Sequence, residues 1–258
     1  MSAPADQRVL VIVPAWNEQE SVAATVREIR ETNPHVDVLV VDDGSADDTA
    51  ARAQAAGALV CRLPFNLGVG GAMRTGYRYA VRHGYDVTVQ IDADGQHDPR
   101  FLPGLVAALD SADVVIGARF ARTDDPYTVR GPRRWAMVLL ARVLSRLART
   151  RLTDVTSGFR VANRKATTVF ALHYPAEYLG DTVESLVIAT RTGCTVTQVP
   201  VDMRVRAAGQ ASASPVKAAV YLARAVVALG LALVRRWPSA FDDGVEDELA
   251  EHLERRTA

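Results

Sequence analysis

Val87-Thr88-Val89-Gln90-Ile91-Asp92-Ala93-Asp94-Gly95-Gln96-His97 is a largely apolar run that ends in two carboxylates one residue apart. A run of this kind fits a strand covered on both faces, as in a parallel sheet. Side chains at i and i+2 of an extended segment point the same way, so Asp92 and Asp94 can face one divalent cation. That cation would lie at the strand's C-terminal end, where open α/β sheets bind ligands. Hard oxygen donors suit Mg2+ or Mn2+, which bind through one or two carboxylates plus substrate phosphates. Taken alone, the pair suits a solvated loop or a helix cap equally well.

Similar apolar runs occupy residues 9–13, 36–41 and 114–116, and helical patterns fall between them at 18–31, 46–56, 69–82 and 99–109. This alternation predicts an α/β fold with a mostly parallel, doubly wound sheet flanked by helices. A length of 258 residues suits one large domain with a C-terminal extension. We expect the catalytic domain to cover residues 1–212 and an amphipathic, acidic-tailed extension to cover 213–258. Thirty basic and thirty acidic residues leave no net charge, so nothing global favours nucleic acid. Cys61 and Cys194 lie far apart without metal-site spacing, which argues against zinc or a disulfide framework and fits a reducing, cytoplasmic setting. Residues 1–8 are short and polar, and no signal peptide is expected there.

The second half is more basic. Residues 132–152 place Trp135, Val138, Leu139, Val143, Leu144 and Leu147 at helical spacing among Arg133, Arg134, Arg142, Arg146, Arg149 and Arg151. This pattern fits a core-facing helix with a solvated basic face, or a helix lying on an anionic membrane surface. Residues 215–236 form a second amphipathic segment, whose uncharged stretch 225–234 is well short of the ~20 residues that span a bilayer. The acidic stretch 242–254 carries no recognisable chemistry.

Three further turns could carry chemistry. After the first apolar run comes Val13-Pro14-Ala15-Trp16-Asn17-Glu18, where Pro14 is expected to stop the ladder and Glu18 to open a helix. After the second comes Asp42-Asp43-Gly44-Ser45-Ala46-Asp47-Asp48-Thr49, which reads either as turn-and-cap chemistry or as carboxylates that recognise a base or ribose. The third, Asn66-Leu67-Gly68-Val69-Gly70-Gly71-Ala72-Met73-Arg74-Thr75-Gly76, is glycine-rich and enters a helix. It can admit a phosphate to a helix N-terminus, or simply pack a helix tightly through Gly68 and Gly76. It matches neither the Walker A pattern nor a dinucleotide fingerprint.

In order and spacing, PAWNE, DDGSADDT, NLGVGGAMRTG, DADGQHDP, Gly117-Ala118-Arg119 and Thr153-Asp154-Val155-Thr156-Ser157-Gly158-Phe159-Arg160 resemble family 2 glycosyltransferases with the GT-A fold. The resemblance is strongest to the polyprenyl-phosphate sugar synthases, the dolichol-phosphate mannosyltransferase group, and covers about residues 8 to 212. It implies that Pro14, Ala15, Trp16, Glu18 and Asp43 hold the nucleoside, with Asn66, Gly68, Arg74, Asp92 and Ala93 completing the nucleotide site. Asp92 and Asp94 would bind the Mg2+ or Mn2+ on the diphosphate, with Gln96 as a further ligand. Arg119, Arg133, Arg134 and Arg206 would bind the acceptor phosphate. Asp94, Asp154 and Arg119 would be the catalytic group.

The expected activity is transfer of a sugar, with inversion, from a nucleotide-diphosphate sugar to a polyprenyl phosphate. It would occur at the cytoplasmic face of an anionic membrane, with a small membrane protein as a candidate partner. A phosphate acceptor is already anionic and needs no strong base; a saccharide hydroxyl, the alternative acceptor, would need Asp154 or Asp181. His97 reads either as a metal or diphosphate contact or as a loop histidine with a structural hydrogen bond. The chain departs from the family at Gly209-Gln210-Ala211-Ser212, where a Gly-x-Ser-Lys pattern is common, and at Trp16, where Tyr or Phe is usual. A sugar-nucleotide pyrophosphorylase would show a glycine-rich basic loop after the first strand, which PAWNE is not. An inactive nucleotide-binding protein would not require the Asp92–Asp94 pair.

Overall fold

The computed structural model describes residues 7–119, 132–175, 181–204 and 230. Arg206, the 209–212 departure, the 215–236 segment apart from residue 230, and the acidic 242–254 stretch lie outside them.

Seven strands form one sheet: β1 (Val9–Ala15), β2 (Asp37–Asp42), β3 (Leu59–Arg62), β4 (Val87–Gln90), β5 (Val114–Ala118), β6 (Arg160–Asn163) and β7 (Val196–Pro200). Their order is β3-β2-β1-β4-β6-β5-β7. All pairings are parallel except those of β6, which runs antiparallel to both β4 and β5. The helices are α1 (Val22–Thr32), α2 (Thr49–Ala55), α3 (Gly68–Arg82), α4 (Leu102–Ala107), α5 (Pro132–Ala148), α6 (Arg164–His173) and α7 (Asp181–Arg191). Short 3-10 turns at Pro99–Phe101 and Ala108–Asp110 flank α4 and divide what the pattern at 99–109 suggested was one helix.

Every residue of β1 is buried, because alternate side chains enter two different cores. Leu10 and Ile12 join Leu39, Val41, Val114 and Ile116 on the face packed by α3, α5, α6 and α7. Val9, Val11 and Val13 join Val38, Val40, Val87, Val89 and Val115 on the face packed by α1 and α4. Coverage on both faces is the reason these strands read as continuous apolar runs rather than as alternating ones.

Two local expectations are corrected. Pro14 does not end the ladder: β1 continues to Ala15, with Pro14 opposite Val41 of β2. Ile12 accepts from Ile91 on the β4 side, so Pro14, two residues on, turns its missing N–H to the same side. The last pairing there is Ile12 with Gln90, so no ladder bond is lost. The helix expected from residue 18 begins at Val22, because Asn17 takes a positive φ of 54° and Glu18 spends its N–H on Thr49 Oγ1. Glu18 instead supplies the carbonyl that accepts the Val22 N–H.

Candidate active site

Strands β1 and β2 run parallel to β4, and the order β2-β1-β4 makes the β1/β4 boundary the point where connections diverge to opposite sides of the sheet. Ligands of open α/β sheets bind in the crevice at such a point, beyond the carboxyl ends of the strands. Because β6 is antiparallel, its N-terminal approach, Asp154 to Phe159, reaches the same edge as the turns after β1, β2, β4 and β5.

At the β1 and β2 end, backbone and side-chain bonds join the two turns. Asn17 N–H donates to Ser45 Oγ at 2.9 Å and Ala46 N–H donates to Asn17 Oδ1 at 3.0 Å. Asp43 N–H donates to Ala15 O at 2.8 Å. The buried Asp43 carboxylate accepts from Leu67 N–H at 2.7 Å and Gly68 N–H at 2.8 Å, so it caps the N-terminus of α3 from another loop. Burial pushes the Asp43 carboxyl up, against the pull of those two N–H groups, and the neighbouring Asp42 charge adds to the rise. Gly68 has φ 83°, a left-handed geometry that lets its N–H turn to Asp43. Trp16 is 51% exposed and Phe65 63% exposed on the loops beside this carboxylate, an open aromatic surface suited to a flat ring. Glu18 accepts from Ser21 Oγ at 2.8 Å.

The glycine-rich segment divides into two parts. Asn66 to Gly68 stands at the site. Gly76 does not: a Cβ there would overlap the Ile12 side chain, so this glycine lets α3 press against β1. The expectation for Arg74 is corrected, because its guanidinium donates to Ala171 O and Leu172 O at the C-terminus of α6. It neutralises helix-end carbonyls there and is not directed to the nucleotide group.

Asp92 lies two residues past the end of β4 and Asp94 in the turn that follows, with Gly95 at φ 75°. Beyond the last pairing of the strand, specific hydrogen bonds hold both side chains. Gln90 Nε2 donates to Asp92 Oδ1 at 3.1 Å, and Gln96 N–H donates to Asp94 Oδ1 at 3.1 Å. Asp92 N–H donates to His97 Nδ1 at 3.0 Å, which leaves the His97 proton on Nε2, 3.8 Å from Asp92 Oδ2. His97 is buried and stacks on Phe159 at 5.0 Å, so it supports the turn. The Ala93 carbonyl accepts from Thr25 Oγ1 at 3.0 Å and ties the turn to α1. Asp98, just beyond, is held down at about 2 by the Arg100 guanidinium.

These residues fit a divalent cation. The donors are hard oxygens, and Asp92 is 39% exposed. A Cβ on Gly158 would come within 3.0 Å of Asp92 Oδ2 and 3.3 Å of Oδ1, so the glycine keeps space clear beside the carboxylate. Among the described residues no group of three or more His, Cys, Asp or Glu side chains forms a complete cage.

Arg119 and Asp154 form the next group. Asp154 is fully buried; it accepts from Arg119 Nε at 2.8 Å, from Arg119 N–H at 3.3 Å and from Thr156 Oγ1 at 3.0 Å. It therefore aims the arginine. Arg133 and Arg134 stand in the first turn of α5. Asp181 opens α7; burial raises its carboxyl, Arg160 opposes the rise, and the charge of Asp92 adds to it. Gln90 and Gly158 were not legible as site residues, although a polar glutamine within the apolar β4 run was the available signal.

The model of the glycosyl transferase family 2 matches residues 10–170. An undecaprenyl-phosphate mannosyltransferase from Micrococcus luteus is 36% identical over 220 residues, covering 80% of this chain and 88% of its own. A polyprenol monophosphomannose synthase from Mycolicibacterium smegmatis is 36% identical over 171 residues, 62% of this chain and 63% of its own. In fold, the chain is similar to glucosyl-3-phosphoglycerate synthase from Mycobacterium tuberculosis, solved with Mn2+, UDP and phosphoglyceric acid. The TM-score is 0.67 at 24% identity, over 89% of this chain and 80% of that one. A family match over more than half of the length, on a seven-stranded mixed sheet that gathers its motifs at one edge, means that the chain belongs to glycosyl transferase family 2 and has a GT-A fold.

Proposed function

We propose that the chain transfers a sugar, with inversion, from a nucleotide-diphosphate sugar to a polyprenyl phosphate at the inner face of the membrane. The observation that carries this reading is that the turn with Asp92 and Asp94 and the Arg119–Asp154 ion pair, its carboxylate buried and its guanidinium about one-third exposed, stand at the same end of the sheet. The 36% identity to an undecaprenyl-phosphate mannosyltransferase over 80% of the chain supports the choice of acceptor.

Asp43, Glu18 and Trp16 receive the nucleoside, with Pro14, Ala15, Asn66, Gly68 and Ala93 shaping the backbone around it. Asp92 and Asp94, with Gln96 beside them, hold Mg2+ or Mn2+. When bound, the cation supplies positive charge against the diphosphate as it leaves. Gln90 and His97 fix the orientation of Asp92, so little reorganisation is needed when that charge develops. Arg119, braced by Asp154, presents a guanidinium to the acceptor phosphate, and Arg133, Arg134 and Arg206 add charge from α5 and from the segment after β7. The acceptor oxygen is anionic at neutral pH and attacks the anomeric carbon opposite the departing diphosphate, through an oxocarbenium-like state. No proton need pass to Asp154, which matches its commitment to Arg119.

Residues 213–258 are assigned to membrane or partner association, with a small membrane protein as the candidate partner. Among the described residues no helix is long and apolar enough to cross a membrane. A saccharide hydroxyl acceptor would instead require a general base, for which Asp154 and Asp181 are the candidates.

A panel of labelled nucleotide sugars, incubated with Mn2+ or Mg2+ and either polyprenyl phosphate or free saccharides, tests the assignment. Label entering the organic phase only with polyprenyl phosphate, and lost in Asp94→Ala, is the expected result. Label entering only the saccharides would overturn it.

A further inference from the structure

We infer that Arg204 is a positioning residue for the metal turn, coupling the segment after β7 to Asp92, Asp94 and Gln96; this rests on the metal-binding role proposed above for that turn. The residue lies four positions beyond the end of β7 and two before Arg206, in a segment where only Arg206 was given a role from the sequence.

Its contacts converge on the turn from three directions. The Arg204 N–H donates to Gln96 O at 3.0 Å. The preceding residue, Met203, forms an antiparallel bridge with His97. One guanidinium nitrogen donates to both Glu28 oxygens on α1, at 2.7 and 2.9 Å. The other lies 2.9 Å from Oδ1 of the buried Asp98, whose carboxylate also accepts from Arg100 N–H. Residues 96–98 are thus held between α1 and the segment after β7. The link to the carboxylates is short: His97 Nδ1 accepts the Asp92 N–H, and Gln96 N–H donates to Asp94 Oδ1.

A planar fork is suited to this task. Arginine can engage the two Glu28 oxygens and Asp98 together, whereas a lysine ammonium offers one point charge and cannot keep the same geometry. The residues around a metal site that orient its ligands typically change metal affinity by about 10- to 100-fold when lost. Because the guanidinium is about one-third exposed, its ion pairs alone add little to folding. The consequence of its removal should therefore fall on the turn rather than on global stability.

The test uses the full chain and calorimetric titration of a nucleoside diphosphate, with Mn2+ and separately with EDTA, for wild type, Arg204→Ala, Arg204→Lys and Glu28→Gln. Arg204→Ala should weaken Mn2+-dependent binding about tenfold, leave binding in EDTA unchanged, and raise the Mn2+ concentration for half-maximal transfer more than it lowers kcat. Arg204→Lys and Glu28→Gln should give smaller losses of the same kind. Glu28→Gln keeps Arg204 in place, so it reports on the link even if the alanine variant unfolds. Unchanged Mn2+ dependence in folded variants, or an equal loss with EDTA, would overturn the inference. If wild type itself binds the nucleotide equally with and without Mn2+, the functional reading fails first and this inference falls with it.

Discussion

Gly158→Ala places one methyl group against the metal turn, and its effect follows from three distances. The new Cβ would lie 3.0 Å from Asp92 Oδ2, 3.0 Å from Gln90 Nε2 and 3.3 Å from Asp92 Oδ1, inside ordinary contact. Gly158 is not among the positive-φ glycines, so the backbone accepts alanine and the conflict is one of side chains. Gln90 is buried and cannot withdraw, whereas Asp92 is 39% exposed and can turn towards solvent. Turning breaks the 3.1 Å bond from Gln90 Nε2 to Asp92 Oδ1. A hydrogen bond to a charged group contributes about 1.5 kcal/mol or more, so the bound orientation of Asp92 should be disfavoured roughly tenfold. The fold should lose only about 1 kcal/mol, a drop of roughly 2–4 °C in Tm for a chain of this size. Transfer measured across a Mn2+ series should show a half-maximal concentration about tenfold higher, with kcat less affected. A folded variant with an unchanged Mn2+ requirement would refute the reasoning, and a loss of about 4 kcal/mol in folding would mean that Gly158 packs against far more than Asp92.

Arg119→Ala should destabilise the fold by about 3 kcal/mol in denaturant titration, because among the described residues it leaves the buried Asp154 carboxylate facing the residue 119 N–H and Thr156; Asp154→Asn, which removes the charge instead, should cost less. Asp113, just before β5, accepts from Thr195 N–H and Oγ1, Asn163 Nδ2 and Lys165 Nζ, joining the start of β5 to the end of β6, to α6 and to the residue before β7. Burial raises its carboxyl, but those donors outweigh it and hold it below 3.8, so its stabilisation is present above that pH and is lost as the pH falls further. Asp113→Asn should therefore flatten the fall in stability below about pH 4, measured by thermal unfolding. Gly76→Ala should cost about 2–3 kcal/mol, since its Cβ would overlap Ile12 in the centre of the sheet.

The sequence made the parallel part of the sheet legible, because β1, β2, β4 and β5 are covered on both faces and so are largely apolar. It did not disclose β6, whose four residues begin with the buried Arg160, nor β3 and β7, which are edge strands with partly exposed side chains. The motifs were legible as turns at strand ends, and the structure gathers Trp16, Glu18, Asp43, Asp92, Asp94, Arg119 and Asp154 on one edge. Their aiming was not legible. Asp92 and Asp94 are set by Gln90, Gln96 and His97, beyond the last pairing of the strand. The direction of Arg74 depends on the C-terminus of α6, almost a hundred residues away, and no local spacing reveals such a contact.

The central claim is that the turn after β4 is the metal-dependent seat of a nucleotide diphosphate. Calorimetric titration of wild type and of the Asp92→Asn, Asp94→Asn double variant with UDP and GDP, each with Mn2+ and with EDTA, tests it most directly. The account predicts binding of at least one nucleotide that weakens tenfold or more in EDTA, and a double variant whose weaker binding no longer responds to Mn2+. Equal affinity with and without the metal, or a Mn2+ response retained in the double variant, would contradict it.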